Sequence, residues 1–317
     1  MSQEISEGNF RVGVPARLLV SNIRGSVVVS STIAPKDETD EVLAGEERLI
    51  RVSAVKHLES GSSDHTAIEM YQEADGRVVV RTRFQENDWL SWLFSARRPC
   101  KIDYQIQVPA DCNLEVKCVS SSAQIEGLIG NISARTVSGK LTLNQIRGRI
   151  EAASVSGRIA GHELTGSTYL DTVSGDIHLE ECDLESIEAK SISANLVAQS
   201  PLSQGPYHFK SVSGNVRLIV PAQTGCEVNF KHISGRFECD LPVTRRSMSS
   251  GVISALVQSG GPQVIFHTIS GKLRLSLAQG QYPMPAKCEP AFENNHQILD
   301  QIARGELSVE EALKALN

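Results

Sequence analysis

Apolar residues through the middle of the chain recur in short alternating runs, not in helical stripes. A unit of the form Val/Ile-Ser-Gly-x-hydrophobic stands at Val137-Ser138-Gly139-Lys140-Leu141, Val155-Ser156-Gly157-Arg158-Ile159 and Val173-Ser174-Gly175-Asp176-Ile177. It returns at Ile192-Ser193-Ala194-Asn195-Leu196, Val212-Ser213-Gly214-Asn215-Val216, Ile233-Ser234-Gly235-Arg236-Phe237 and Ile269-Ser270-Gly271-Lys272-Leu273. A degenerate copy, Val119-Ser120-Ser121-Ser122-Ala123, precedes them. Successive Val/Ile positions lie 18, 18, 18, 19, 20, 21 and 36 residues apart. The last step equals two shorter ones, so one copy is lost or replaced by an insert around residues 241–252.

Counted from Val/Ile, the fifth residue back is Ile132, Ile150, Thr168, Ile187, Tyr207, Val228 or Val264. The third back grows from Ala134 and Ala152 to Phe209, Phe230 and Phe266, and the fourth forward is again apolar. Alternation of this kind gives two short strands per repeat. A coil of about 20 residues cannot bury its own apolar face, so coils stack into a common core. The predicted fold is all-β: a single-chain β-solenoid over residues 1–276, with amino-terminal strands over 9–118 and regular coils over 119–276. The aromatic column predicts a stack that widens toward residue 265. The repeated glycines are expected at bends, where φ > 0 or close packing excludes a β-carbon. Ser121 and Ala194 replace that glycine, so their coils are expected to bend less. The repeated serines read as ladder hydroxyls; no GxSxG elbow accompanies them.

Before the repeats, residues 9–30, 48–55, 65–73 and 77–84 read as strands, with turns at Arg24-Gly25 and Ala74-Asp75-Gly76. Tyr104–Pro109 begins another. Together they form the first coils of the same body. The segment 88–94 carries both tryptophans, Trp89 and Trp92, beside Phe94. It reads either as a plug over a solenoid edge or as a contact loop for a membrane surface or partner. After a Pro/Gly-punctuated linker at 277–292, the period becomes helical. Ile298, Leu299 and Ile302 precede Gly305; Leu307, Val309, Leu313 and Leu316 follow around the capping box Ser308-x-x-Glu311. This predicts a two-helix hairpin over 293–317, too small to hold a core alone, that self-associates, docks on a protein partner or caps the solenoid.

Composition narrows the picture. The 317 residues carry a net charge of −6, which argues against nucleic acid as a partner. The amino terminus has no signal-peptide pattern and no apolar run is long enough to span a bilayer, so a cytoplasmic protein, peripheral to a membrane at most, is expected. The seven cysteines form no CxxC pair and the eight histidines no ligand motif, so reduced thiols, no metal and no cofactor are expected. Two outward columns are cationic: Arg135, Lys190, Lys210 and Lys231, and Lys140, Arg158, Arg236 and Lys272, interrupted by Asp171 and Asp176. Lys190, Lys210 and Lys231 make a candidate anion-binding stripe for an anionic polymer or surface. The acids Asp171, Asp176, Glu180, Glu181 and Asp183 are the one candidate for glycoside chemistry, and nothing in their spacing selects a catalytic pair.

The run Tyr104-Gln105-Ile106-Gln107-Val108-Pro109 followed by repeated V-S-G-x-I/L-x-L resembles the bacterial “putative adhesin” β-solenoid family. The tail Ile298–Leu313 resembles the SHOCT-like helical hairpin. The resemblance implies a scaffold or sensor without catalytic residues, in adhesion-like binding or a cell-envelope stress response. A regulatory partner of a membrane sensor is the alternative, and a carbohydrate-active β-helix enzyme the remote one.

Overall fold

A computed structural model describes residues 2–32, 48–84 and 98–278. The linker after residue 278, the predicted hairpin over 293–317 and the tryptophan segment lie outside them. The described chain is built of strands: β1 (Gln3–Arg11), β2 (Ala16–Ser31), β3 (Leu49–His57), β4 (Thr66–Gln72), β5 (Val78–Phe84), β6 (Lys101–Val108) and β7 (Cys112–Glu126) come first. The regular coils follow as β8 (Ile129–Thr136), β9 (Leu141–Asn144), β10 (Arg147–Ser154), β11 (Ile159–His162), β12 (Thr165–Thr172), β13 (Ile177–Glu180), β14 (Asp183–Ser191), β15 (Leu196–Gln199), β16 (Tyr207–Ser211) and β17 (Val216–Val220). The chain ends in β18 (Cys226–Cys239), β19 (Val243–Ser249), β20 (Val252–Val257) and β21 (Gln263–Leu277).

Each regular coil contributes one strand to each of two parallel ladders. One runs β7-β8-β10-β12-β14-β16, the other β7-β9-β11-β13-β15-β17. The columns expected from the sequence face inward: Ile132, Ala134, Leu141, Ile150, Ala152 and Ile159 are all buried. At ~4.8 Å per strand, the ten layers from β5/β6 to β18 rise roughly 43 Å. The amino-terminal strands belong to the same compact unit.

The order of layers departs from the sequence reading at both ends. The last strand, β21, does not close the series. It enters between β16/β17 and β18, pairing parallel with all three. The insert expected around 241–252 is the antiparallel hairpin β19-β20, which covers the outer edge of the first half of β18, from Cys226 to Lys231. At the other end β2 lies between β7 and the layer made by β5 and β6, and β4 and β3 add antiparallel strands outside it. Antiparallel closure blunts edges that would otherwise template another strand. The aromatic column does gather at the far end, but in the order Phe209, Phe266, Phe230; the last two rings stack at 5.3 Å.

Arg24-Gly25 is not a reversal. β2 runs through it, and Gly25 aligns with Ser121. Ile23-Arg24-Gly25-Ser26-Val27 is therefore a further copy of the corner unit. The repeated glycines 139, 157 and 175 are selected by packing. A β-carbon on each would lie 1.8, 1.9 and 2.0 Å from the carbonyl oxygen of the coil below. These three have no left-handed φ; that conformation is found at Gly25 and in a different column, Gly130, Gly148 and Gly166. Ala194 sits in a break between β14 and β15 like that of its glycine neighbours, so absence of glycine does not flatten the coil. Its coil is one residue longer, a step of 19, but the extra residue lies in a bulge of β14 opposite Gly166 and Ser167, away from this corner. Ser121 lies within an unbroken strand, as Gly235 and Gly271 also do.

Candidate functional site

The cationic groove

Lys190, Lys210 and Lys231 share one flank of the solenoid, in a different order from the sequence reading. Lys190 pairs across to Lys210, Lys210 to His267, and His267 to Lys231. The inserted β21 thus places a histidine between the two lysines that the sequence makes neighbours. Lys190 is engaged: its Nζ lies 2.9 Å from Glu188, 3.3 Å from the Tyr169 hydroxyl and 4.9 Å from that ring's centre. Lys210 and Lys231 have no ion-pair partner among the described residues. His267 is half-buried. Desolvation, then the charges of Lys231 and Lys210, hold its pKa below the ordinary imidazole value.

These side chains line an open groove of about 730 Å³, bounded by Ser250, Gly251 and Val252 of the β19-β20 hairpin. Val212, Ile233 and Ile269 form its other lip. They belong to the most regular position of the repeat, which faces solvent. Exposure runs from 41% at Val173 to 80% at Ile233. Period-2 alternation carries the signal, because the position before it, Thr136 or Thr172, is inward and buried. Beyond this aliphatic ridge lies a second groove, of about 630 Å³, lined by the repeat serines and glycines with Asn215, Arg236 and Lys272.

The ridge is held rigidly. The amides of Ser138, Ser156, Ser174, Ser193, Ser213 and Ser270 each donate to the Val/Ile carbonyl one coil below. The hydroxyls of Ser138, Ser156 and Ser174 donate to the same carbonyls at 3.3 Å. The hydroxyls of Thr136, Ser154 and Thr172 accept from the amides of Gly139, Gly157 and Gly175. Two hydroxyl-to-hydroxyl steps of the expected kind form: Ser138 to Ser120 at 3.5 Å among the repeated serines, and Ser191 to Ser211 at 2.9 Å at the position before them.

Other clusters

Two of the carboxylates considered for glycoside chemistry, Asp176 and Glu181, have structural partners. Asp176 Oδ1 accepts from the backbone amide of Asn195 and, at 3.3 Å, from its side chain, and Asn215 continues the ladder to Asn195 at 2.9 Å. Glu181 lies 3.4 Å from His162, and Glu163 accepts from Gln145 at 2.8 Å. His162, Glu163 and Glu181 could converge on a cation, a cluster that sequence spacing missed; all three side chains are 44–60% exposed. The six described cysteines are free. Burial pushes Cys112, Cys182 and Cys226 up to about 12 and Cys118 to about 11, so they pack as small apolar groups. Among the described residues no helix is long and apolar enough to cross a membrane.

Trp89, Trp92, Phe94, Ile298, Leu299, Ile302, Leu307, Val309, Leu313 and Leu316, the candidate partner contacts, lie outside the described residues. His267 and the ridge residues were not singled out by their repeat position alone.

Relatives

No curated protein shows significant sequence similarity to the chain. The crystal structure of a “putative adhesin” from Bacteroides fragilis NCTC 9343 matches 86% of this chain and 97% of its own, at 10% identity and a TM-score of 0.50, a likeness of fold. That of a “putative adhesin” from Parabacteroides distasonis ATCC 8503 matches 86% and 97% at 11% identity, with a TM-score of 0.40. The sequence pattern of one family is matched over residues 33–276, most of the chain and nearly all of the coils, and the protein therefore belongs to the Toastrack DUF4097 family.

Proposed function

We propose that the protein is a non-catalytic binding scaffold whose solenoid flank receives closely spaced anionic groups. The observation that supports this is the row Lys190, Lys210, His267 and Lys231 on four adjacent strands, with Lys210 and Lys231 unpaired among the described residues. Like charges on neighbouring strands repel and destabilise a sheet unless something compensates them. A polyanion laid along the groove supplies that compensation, and the groove is long and open enough to admit a chain. In this scheme residues 293–317 supply assembly.

Inorganic polyphosphate is a suitable probe. Isothermal titration at low salt is expected to show binding that weakens steeply with added salt. The double variant K210E/K231E is expected to bind at least tenfold more weakly, with an unchanged thermal melt because both side chains are exposed. Equal binding by variant and parent would overturn the reading.

The pH dependence has a definite sign. In the free protein His267 titrates below the usual 6.5, with Lys210 and His208 on β16, Lys231 on β18 and Lys190 beside Glu188 on β14 around it. A bound anion favours the imidazolium and raises that pKa. Affinity for polyphosphate is therefore expected to rise as pH falls from 7 toward 5, and H267Q to flatten the rise. Without the anion the depressed folded pKa costs stability as pH falls below 6.5, since the unfolded chain takes up the proton first.

A further inference from the structure

We infer that the aliphatic ridge and the two cation columns beside it form a docking surface for an anionic lipid bilayer. The inference rests on the anion-binding reading of the groove and names the surface that carries the anions. In layer order the ridge is Val137, Val155, Val173, Ile192, Val212, Ile269 and Ile233, seven exposed β-branched residues in line over roughly 29 Å at ~4.8 Å per strand. Two residues before each stands one column, three residues after it the other. Together they hold Arg135, Lys140, Arg158, Lys210, Lys231 and Arg236 without an ion-pair partner among the described residues. Lys190 and Lys272 add charge that Glu188 and Glu238 offset, and only Asp171 and Asp176 oppose it within the columns. A protein of net charge −6 thus keeps a cationic margin on both sides of an exposed apolar line.

The corner geometry selects among occupants. A peptide strand cannot pair along the ridge, because the corner amides are already donated to the coil below. A helix advances ~5.4 Å per turn, so it slips from a ~4.8 Å repeat by roughly 4 Å over the six steps. A fluid bilayer has no register to match. Its headgroup phosphates meet the flanking cations while the short branched side chains enter the acyl boundary, as the apolar face of an interfacial element does.

The test is co-sedimentation of the full chain with vesicles of equal parts phosphatidylglycerol and phosphatidylcholine, against vesicles of phosphatidylcholine alone. Binding is expected only to the anionic vesicles. The ridge variant V155S/V173S/I192S, whose residues are exposed and lie outside the lining of the polyphosphate groove, is expected to bind them at least tenfold more weakly and to keep its affinity for polyphosphate, which also reports that it is folded. K210E/K231E is expected to lose both ligands. If the ridge variant sediments like the parent, the bilayer inference is overturned. If the parent binds polyphosphate but no vesicles, the bilayer inference fails and the anion site stands; if it binds neither, both fail. A dimer seen by light scattering that the ridge variant dissolves would assign the ridge to a second copy of the chain and overturn the inference as well.

Discussion

Replacing Gly157 with alanine is expected to lower the stability of the solenoid by about 4 kcal/mol. The new β-carbon would stand 1.9 Å from the Gly139 carbonyl oxygen and 2.8 Å from its carbon, and neither is a side chain that can turn away. Relief requires the two coils to part by about an ångström, where interiors are close-packed. Parting them stretches the bond from the Ser156 amide to Val137, 2.9 Å long, and opens the packing of Ile150 and Ile159 on their neighbours. Urea unfolding measures the loss. Gly13 is the control: a β-carbon there meets nothing within 4 Å, so its alanine variant should stay within about 0.5 kcal/mol of the parent. Equal midpoints for the two variants would show that the glycine column is not selected by backbone approach.

The second large effect lies nearer the amino-terminal end of the stack. Asn22 is 1% exposed and ties three layers together. Its Nδ2 donates to the Ile102 carbonyl at 2.9 Å and to Ser121 Oγ at 3.0 Å, and its Oδ1 accepts from Thr82 Oγ1 at 3.0 Å. Thr82 in turn shares a 2.9 Å bond with the Tyr104 hydroxyl, in a ring that is fully buried. Asn22→Leu takes a partner from the Ile102 carbonyl, from Ser121 and from Thr82, which keeps only Tyr104, and each buried group left unsatisfied costs about 1–3 kcal/mol. A loss of roughly 3–4 kcal/mol is expected. Ser121 departs from the repeat glycine because it belongs to this network. Asn22→Leu combined with Ser121→Gly removes one stranded hydroxyl and should recover part of the loss. Strictly additive destabilisation in that double-mutant cycle would mean that the two side chains are not coupled.

How much of this was legible follows from what repeats. The inward columns around Ile132, Ala134 and Leu141 could be read because a strand alternates with period two and each coil repeats the phase. The cationic columns could be read by the same indexing. The order of the last layers could not. Lys210 accepts Lys231 or His267 as a neighbour equally well by pattern, because parallel ladders of one repeat are interchangeable in register. Only the tertiary placement of β21 decides, and it changes the candidate site from three lysines to lysines flanking a histidine. Ile23-Arg24-Gly25 was obscured by the arginine in the serine position, though its glycine and the following Val27 fit the unit. The Asn22 network is invisible to periodicity, since it joins residues up to 99 apart.

The interleaved ends have a consequence for how the chain acquires its form. A repeat protein whose coils stack in chain order can grow one neighbour at a time. Here β18 emerges during synthesis before β21, although β21 must come to lie beneath it, and its columns fit β16 in the meantime. Likewise β2 waits for β7, with Ala16 and Cys112 partnered across 96 residues. The first and last long strands therefore close large loops late, and formation of the native order is an insertion at each end whose rate is set by chain entropy and by the release of provisional neighbours, not by zipping along the axis.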